Sequence, residues 1–123
     1  MPRTASINVD TAPLNLPSEF LEKLVDLVVD TVPTDSIYIF GSYARGEERS
    51  TSDLDIYIRF TDDETSVIEK CVEARLALFD LIRRQNDLSF DLVGDNDSAH
   101  IAKASSIGTL ANVIEREGVM IYG

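Results

Sequence analysis

Residues 41–56 read GSYARGEERSTSDLDI, and this segment constrains the structure more than any other part of the sequence. The run just before it, Ser36–Phe40, is short, β-branched and aromatic, which predicts a buried strand that stops at Gly41. A glycine at the end of a strand allows the backbone to turn sharply and to approach a ligand closely. We expect Ser42 to begin one short helical turn, whose free N–H groups and positive dipole end favour an anion such as phosphate.

Apolar and polar residues alternate after this turn, which predicts a strand over Leu54–Phe60 with one buried face. Asp53 and Asp55 share the other face and a common direction because successive side chains of a strand alternate. Two carboxylates on one rigid face can converge on a cation, and magnesium takes such oxygen ligands together with water and substrate phosphates. The pair alone is more typical of a solvated strand edge than of a metal site. A third expected strand, Leu88–Val93, places Asp91 in the same cluster if the two strands are neighbours.

Helical patterns flank these strands. Helical spacing of apolar residues predicts a first helix from Ser18, its cap, to Pro33. A capping box formed by Thr61 and Glu64 predicts the start of a long helix that reaches about Gln85. The apolar side of that helix is expected to include Val67, Ile68, Cys71, Val72, Leu78, Phe79 and Ile82.

The C-terminal part begins with a turn and capping cluster at 95–98, followed by a helical stretch that Gly108 interrupts. Gly118 is expected to end that stretch, and Val119–Tyr122 to add a short last strand. At the other end of the chain, residues 1–17 contain prolines and little periodicity. We expect them to form an arm outside a single domain over residues 18–123.

The composition fits a globular domain and excludes several classes of protein. The chain has 123 residues, of which 44% are hydrophobic, and 22 acidic against 11 basic residues give a net charge of -11. This charge disfavours direct nucleic-acid binding, whereas it suits divalent cations or a basic protein partner. The longest apolar runs are too short for a membrane helix, and the N-terminus lacks the apolar stretch of a secretory signal. A single cysteine, Cys71, excludes an internal disulfide and fits the reducing cytoplasm.

Five other side chains each have two interpretations, or a weak functional one. Arg45 can contact a phosphate or pair with a neighbouring glutamate, and Lys103 is a weaker candidate for a phosphate contact. His100, the only histidine, is expected to be solvated or to cap a helix rather than to act in catalysis. Tyr57 shares the face of the aspartates, where it either lines the site or packs across strands. Cys71 is expected to lie in the core.

The segment Gly41–Gly46, followed by Ser52–Ile56, resembles the signature of the DNA-polymerase-β-like nucleotidyltransferase superfamily. Within it, the chain is similar to the minimal nucleotidyltransferases, or MNT proteins, which are the antitoxin half of HEPN–MNT toxin–antitoxin pairs. The resemblance covers roughly residues 18–122 and includes Asp91 on the third strand. It implies an α/β (α+β) fold, a small mixed sheet of three or four strands flanked by helices.

The resemblance also implies roles for the site residues. Gly41 and Ser42 are expected to bind the triphosphate of ATP, and Asp53 and Asp55 to ligate two magnesium ions, with manganese as an alternative. Asp91 is expected to complete the metal site and to act as, or assist, the general base. Arg45 is a further candidate for binding the nucleotide, through its phosphates.

Three functional hypotheses follow. In the first, the protein is an antitoxin that transfers AMP from ATP to a hydroxyl, tyrosine above all, of a cognate HEPN ribonuclease toxin, with which it forms a hetero-oligomer. In the second, it is a small-molecule nucleotidyltransferase. In the third, it is a binding-only antitoxin that masks its partner without catalysis.

Overall fold

The computed structural model describes residues 14–85 and 88–123, and most of the arm expected over residues 1–17 lies outside them. Helices and strands alternate along most of this part of the chain. In chain order the elements are α1 Ser18–Thr31, β1 Thr34–Phe40, α2 Gly41–Arg45, β2 Leu54–Phe60, α3 Val67–Arg83, β3 Phe90–Asn96, α4 Asp97–Lys103, α5 Leu110–Glu117 and β4 Val119–Tyr122.

The four strands form one mixed sheet in the order β3-β2-β1-β4. Strand β1 pairs antiparallel with both β2 and β4, whereas β2 and β3 run parallel. This confirms the expected small mixed sheet flanked by helices. The parallel pair requires a crossover, and α3 supplies it between β2 and β3.

The main core lies on the face of the sheet that α1 and α3 cover. Helix α1 buries one apolar side, and the inward residues of β1 and β2 meet it, all of them almost completely buried. The members of this core include Leu21, Leu24, Val25, Val28, Ile37, Ile39, Leu54, Ile56, Ile58, Leu78, Ile82 and Leu92. A smaller cluster on the opposite face joins Tyr38 and Tyr57 to Ile114 of α5. Of the helices that the structure describes, none is long and apolar enough to cross a membrane.

The start of α3 differs from the sequence prediction. The helix begins at Val67, and the Ser66 side chain accepts a hydrogen bond from the Glu69 N–H, so the N-cap is Ser66 rather than Thr61. The cause is a tertiary contact, because the buried Lys70 ammonium donates to the Thr61 carbonyl and to Asp63 and thereby holds this segment as a loop.

Part of the apolar side predicted for α3 is also wrong. The buried face contains Lys70, Cys71, Ala74, Leu78 and Ile82. Ile68, Val72 and Phe79, which the sequence pattern assigned to the apolar side, are exposed together with Leu76. The helix therefore has a second apolar face that points away from the core.

Two other boundaries differ from the sequence prediction. Strand β3 continues to Asn96, where a turn was expected, because the parallel pairing with β2 extends to Phe60. The interruption expected at Gly108 is confirmed, since the C-terminal stretch consists of two helices and Gly108 between them has a φ of 93°. At α1 the N-cap position is Pro17, without a side-chain cap bond, and Ser18 is the first helical residue.

Candidate active site

Three adjacent strands bring the predicted site residues to one end of the sheet. Phe40, the last residue of β1, pairs with Asp55 near the start of β2, and Asp55 pairs with Asp91 near the start of β3. Neighbouring strands lie about 4.8 Å apart, so Phe40, Asp55 and Asp91 occupy consecutive places across the sheet, and Gly41 follows Phe40 at the same end. The condition that the sequence left open is met, because β3 lies beside β2 and Asp91 is the register partner of Asp55.

Gly41 joins β1 to the short helix α2 in a conformation that favours glycine, with a φ of 72°. A Cβ atom at this position would overlap the Asp55 carboxylate. The missing side chain therefore allows the start of α2 to lie directly against Asp55. Ser42 follows as the second residue of α2 and is half-buried at this junction.

The three carboxylates differ in their surroundings. Asp53 and Asp91 are exposed, whereas Asp55 between them is partly buried. The Ser89 hydroxyl donates to Asp53 Oδ1, and the Leu54 N–H donates to the Ser89 carbonyl at 2.9 Å, so this residue ties the starts of β2 and β3 together.

Burial raises the pKa of Asp55 above its ordinary value, and the negative charges of Asp91 and Asp53 raise that pKa further. The Arg45 guanidinium opposes this effect only in part. This end of the sheet thus concentrates negative charge, and the positive charge of the protein compensates little of it.

These side chains do not form a preassembled metal cage. Among residues 14–85 and 88–123, no group of three or more His, Cys, Asp or Glu side chains is arranged to hold a metal ion. The donor set nevertheless fits magnesium, because it consists of carboxylate oxygens and the repulsion acting on Asp55 is of the kind that a divalent cation relieves. Since magnesium takes much of its shell from substrate phosphates, an open set of ligands is compatible with binding together with a nucleotide.

The two basic candidates pair with acidic side chains. Arg45 Nε donates to Glu47 at 2.7 Å, and its Nη1 lies 3.8 Å from Glu117 of α5. Lys103 donates to Asp95 at 2.8 Å. The structure therefore shows the pairing alternative for Arg45, which remains exposed beside the site, and it gives Lys103 a partner on β3.

The expectation of a solvated or capping role for His100 is wrong. This residue is fully buried, with Nδ1 2.8 Å from the Tyr57 hydroxyl and Nε2 2.8 Å from Glu115 Oε1. Tyr57 packs against Tyr38 with ring centroids 6.2 Å apart, which is the cross-strand alternative, and burial raises its pKa. The prediction that Cys71 lies in the core is confirmed, and burial raises its pKa.

A cavity of about 650 Å³ opens beside the aspartates. Hydroxyl groups from the loop before β2 and from the start of β3 contribute to its lining, and Tyr43 of α2 forms another side. Ser89 connects this cavity to the carboxylates through its bond to Asp53. The sequence reasoning missed Ser89 as a site residue, although its position two residues before Asp91 on the same strand face was a usable signal.

A family model for "Polymerase beta, Nucleotidyltransferase" matches residues 22–123, which is most of the chain. This chain belongs to the polymerase-beta nucleotidyltransferase family. Its described residues have the mixed four-stranded sheet and flanking helices of a nucleotidyltransferase fold. The protein is accordingly a nucleotidyltransferase.

Curated relatives of this nucleotidyltransferase occur in Methanocaldococcus jannaschii. MJ1379 is 32% identical over 75 residues, which cover 61% of this chain and 71% of the relative. MJ1217 is 39% identical over 70 residues, covering 57% of this chain and 69% of the relative. The names of both give the activity of a protein adenylyltransferase, marked as provisional.

Solved structures of toxin–antitoxin systems are also similar to this nucleotidyltransferase. One, described as a toxin-antitoxin with AMP-PNP, has a TM-score of 0.53 and 26% identity and covers 84% of this chain and 73% of its own. Another, a variant of the toxin-antitoxin MntA-HpeT, has a TM-score of 0.51 and 27% identity and covers 89% of this chain and 74% of its own.

Proposed function

We propose that this protein is a magnesium-dependent adenylyltransferase that acts as an antitoxin. It transfers AMP from ATP to a hydroxyl group, above all that of a tyrosine, of a cognate HEPN-type toxin. The observation that carries the proposal is that Gly41, at the junction of β1 and α2, lies against Asp55 of β2, which pairs with Asp91 of β3, in a chain of the nucleotidyltransferase family. The names of the relatives and the toxin–antitoxin neighbours support the choice of a protein acceptor.

Gly41 and Ser42 are the groups of this chain that bind the triphosphate. The left-handed Gly41 brings the start of α2 against β2, where backbone N–H groups and the Ser42 hydroxyl donate to phosphate oxygens. Arg45 lies on the same helix and adds positive charge once a phosphate competes with its glutamate partners. The phosphates are thus held beside the carboxylates of Asp53, Asp55 and Asp91.

Asp53, Asp55 and Asp91 are the residues that would hold the magnesium ions. Bound there, magnesium supplies Lewis-acid stabilisation of the negative charge on the phosphoryl group. Asp91 is exposed at the edge strand, where it can accept the proton of an incoming hydroxyl as the general base. The new bond joins the acceptor oxygen to the α-phosphorus, the bond from that phosphorus to the bridging oxygen breaks, and pyrophosphate leaves.

The geometry suits an acceptor that arrives on another protein. Asp53 and Asp91 are exposed, and β3 is an edge strand of the sheet, so a side chain of a partner can reach them. The net charge of -11 favours association with a basic partner such as a protein that binds RNA. An adenylate group attached near an RNA site adds a negative phosphate that repels RNA, which gives a lasting neutralisation.

The test is intact-mass analysis of the HEPN-type toxin after incubation with this protein, ATP and magnesium. We expect a mass gain of one or more adenylate units, and a toxin that stays inactive after the two proteins are separated. Asp53→Asn and Asp55→Asn should lower the transfer rate at least about 100-fold without loss of the fold, because each removes a charged oxygen ligand. Glu22→Gln, which removes an exposed carboxylate on α1, should leave the rate unchanged.

Two results decide against this function. A toxin of unchanged mass that regains full activity on separation supports a binding-only antitoxin. A toxin of unchanged mass together with adenylylation of a small hydroxyl or amino compound supports a small-molecule nucleotidyltransferase.

A further inference from the structure

Helix α3 presents a line of apolar side chains away from the core. Four residues form this apolar stripe, and they are 77%, 44%, 74% and 52% exposed in the order Ile68, Val72, Leu76 and Phe79. Spacings of four, four and three residues place them along one side of a helix over about 16 Å. Single exposed apolar residues are ordinary on a protein surface, whereas a continuous line marks an interaction surface. The opposite side of α3 already supplies the core contacts.

The apolar stripe leads to the candidate active site. At the C-terminal end of α3, Phe79 and Arg83 line a groove of about 360 Å³. Its other side is formed by the residues that lead into β3, which are Leu88, Ser89 and Phe90. The Ser89 hydroxyl in this groove donates to Asp53. A partner segment that lies along the stripe therefore reaches the carboxylates of the candidate active site at the end of the groove.

An acidic row borders the stripe on one side. Glu69, Glu73 and Asp80 are exposed, and each follows a stripe residue by one position, or about 100° around the helix. The other side of the stripe faces β3, since Arg75 donates to the Leu92 carbonyl at 2.7 Å. The surface is thus an apolar line with an acidic row on one side and Arg75 on the other.

We propose that the apolar stripe of α3 is the docking surface for the acceptor protein, and that it receives an amphipathic helix whose apolar face is bordered by basic residues. The proposal rests on the proposed function, because it assigns the surface by which the adenylylated toxin is held. Charge complementarity selects this occupant, since the acidic row attracts a basic border. Two copies of this chain each carry a net charge of -11, and the repulsion between them disfavours a homodimer through this surface.

Docking along the stripe explains how a small catalytic site gains its acceptor. Proximity and orientation convert a two-protein encounter into an intramolecular step, so the docked toxin presents its hydroxyl to Asp53 and Asp91 at a high effective concentration. Variants of the stripe should then raise the KM for the toxin and leave the affinity for nucleotide unchanged.

The test compares two exposed apolar positions that receive the same charge. Leu76→Glu alters the stripe, and Ile107→Glu alters a residue that is 94% exposed in the turn between α4 and α5. Binding of the HEPN-type toxin is measured by calorimetry in an Asp53→Asn background, where no transfer interferes. We expect Leu76→Glu to weaken toxin binding at least tenfold and Ile107→Glu to leave it within twofold. Ile68→Glu, at the far end of the stripe, should act like Leu76→Glu.

Several outcomes of these measurements overturn the docking proposal. The proposal is contradicted if the Leu76→Glu variant binds the toxin as tightly as the protein with an unmutated stripe, or if Ile107→Glu weakens binding as much as Leu76→Glu does. It is also contradicted if the toxin does not bind at all. Sedimentation that shows a dimer of this chain, dissociated by Leu76→Glu, assigns the stripe to a second copy instead. The proposed function fails separately, because a toxin that binds through the stripe but never gains mass refutes adenylylation and leaves the docking surface in place.

Discussion

Gly41 has a backbone conformation and surroundings that a side chain disturbs in two ways. Its φ of 72° costs about 1–2 kcal/mol for an L-residue, and a Cβ there overlaps the Asp55 carboxylate. We therefore expect Gly41→Ala to lower the free energy of unfolding by that amount and to reduce nucleotidyl transfer at least tenfold. Chemical denaturation and a transfer assay measure the two effects.

Gly46 is the matched control for this prediction. It has a φ of 68°, but a Cβ added there meets no atom within 4 Å. Gly46→Ala should show a similar loss of stability with transfer unchanged. Equal activity in the two variants means that the contact between Gly41 and Asp55 has no role in catalysis.

Asp55 makes the folded protein less stable when it is ionised. Its pKa is raised in the folded state by burial and by Asp91 and Asp53, so the folded chain binds the proton more tightly than the unfolded chain does. Stability from this group therefore falls as the pH rises from the ordinary aspartate pKa through the raised value. Asp55→Asn should raise the melting temperature at neutral pH, and the difference should vanish below the ordinary aspartate pKa.

The pKa of Asp63 is shifted in the opposite direction to that of Asp55, so its effect on stability has the opposite pH dependence. The hydrogen bond from Lys70 lowers its pKa, so its contribution to stability is present above the ordinary aspartate pKa and is lost as the pH falls through the lowered value. Asp63→Asn should accordingly lower the melting temperature at neutral pH. Melting curves of both variants between neutral and acidic pH compare the two trends, and parallel trends contradict the assignment for Asp55.

Placements that depend on neighbouring residues were predictable from the sequence, and those that depend on distant contacts were not. The Asp53 and Asp55 pair follows from strand alternation, and Gly41 from the strand-to-helix junction. His100 was misjudged because its partners Tyr57 and Glu115 lie 43 and 15 residues away. Nothing in the local sequence around this histidine indicates that it is buried.

At the scale of elements, the start of α3 gives a clear stability test. Ser66 accepts a hydrogen bond from the Glu69 N–H, so Ser66→Ala should lower the free energy of unfolding by about 1 kcal/mol. Thr61→Ala, at the capping position expected from the sequence, should change it by less than about 0.5 kcal/mol. Denaturation of both variants gives the comparison, and a larger effect at Thr61 contradicts the observed helix start.

Element types were predicted better than their ends because tertiary contacts set the ends. The seven-residue pairing of β2 with β3 extends the latter strand to Asn96 through a segment with turn-forming residues. The buried Lys70 holds the loop before α3 and shifts the helix start. The two apolar faces of α3 were merged in the sequence prediction, since periodicity alone does not say which face meets the sheet.

At the scale of the whole molecule, the order of the strands creates the site. Because β2 lies between β1 and β3, the end of β1 and the start of β3 both meet Asp55. The prediction of Asp91 as a neighbour depended on this order, which strand patterns alone leave open. The crossover through α3 then places the apolar stripe on the helix that ends beside the same edge.

The most direct test of the central claim is the affinity for a non-hydrolysable ATP analogue with and without magnesium, measured by calorimetry. If the carboxylates and the triphosphate share the metal, magnesium should raise the affinity at least tenfold over a sample containing a chelator, and Asp55→Asn should remove most of that gain. Glu22→Gln should retain it. Equal affinity of the unmutated protein with magnesium and with chelator would contradict a metal site formed by Asp53, Asp55 and Asp91.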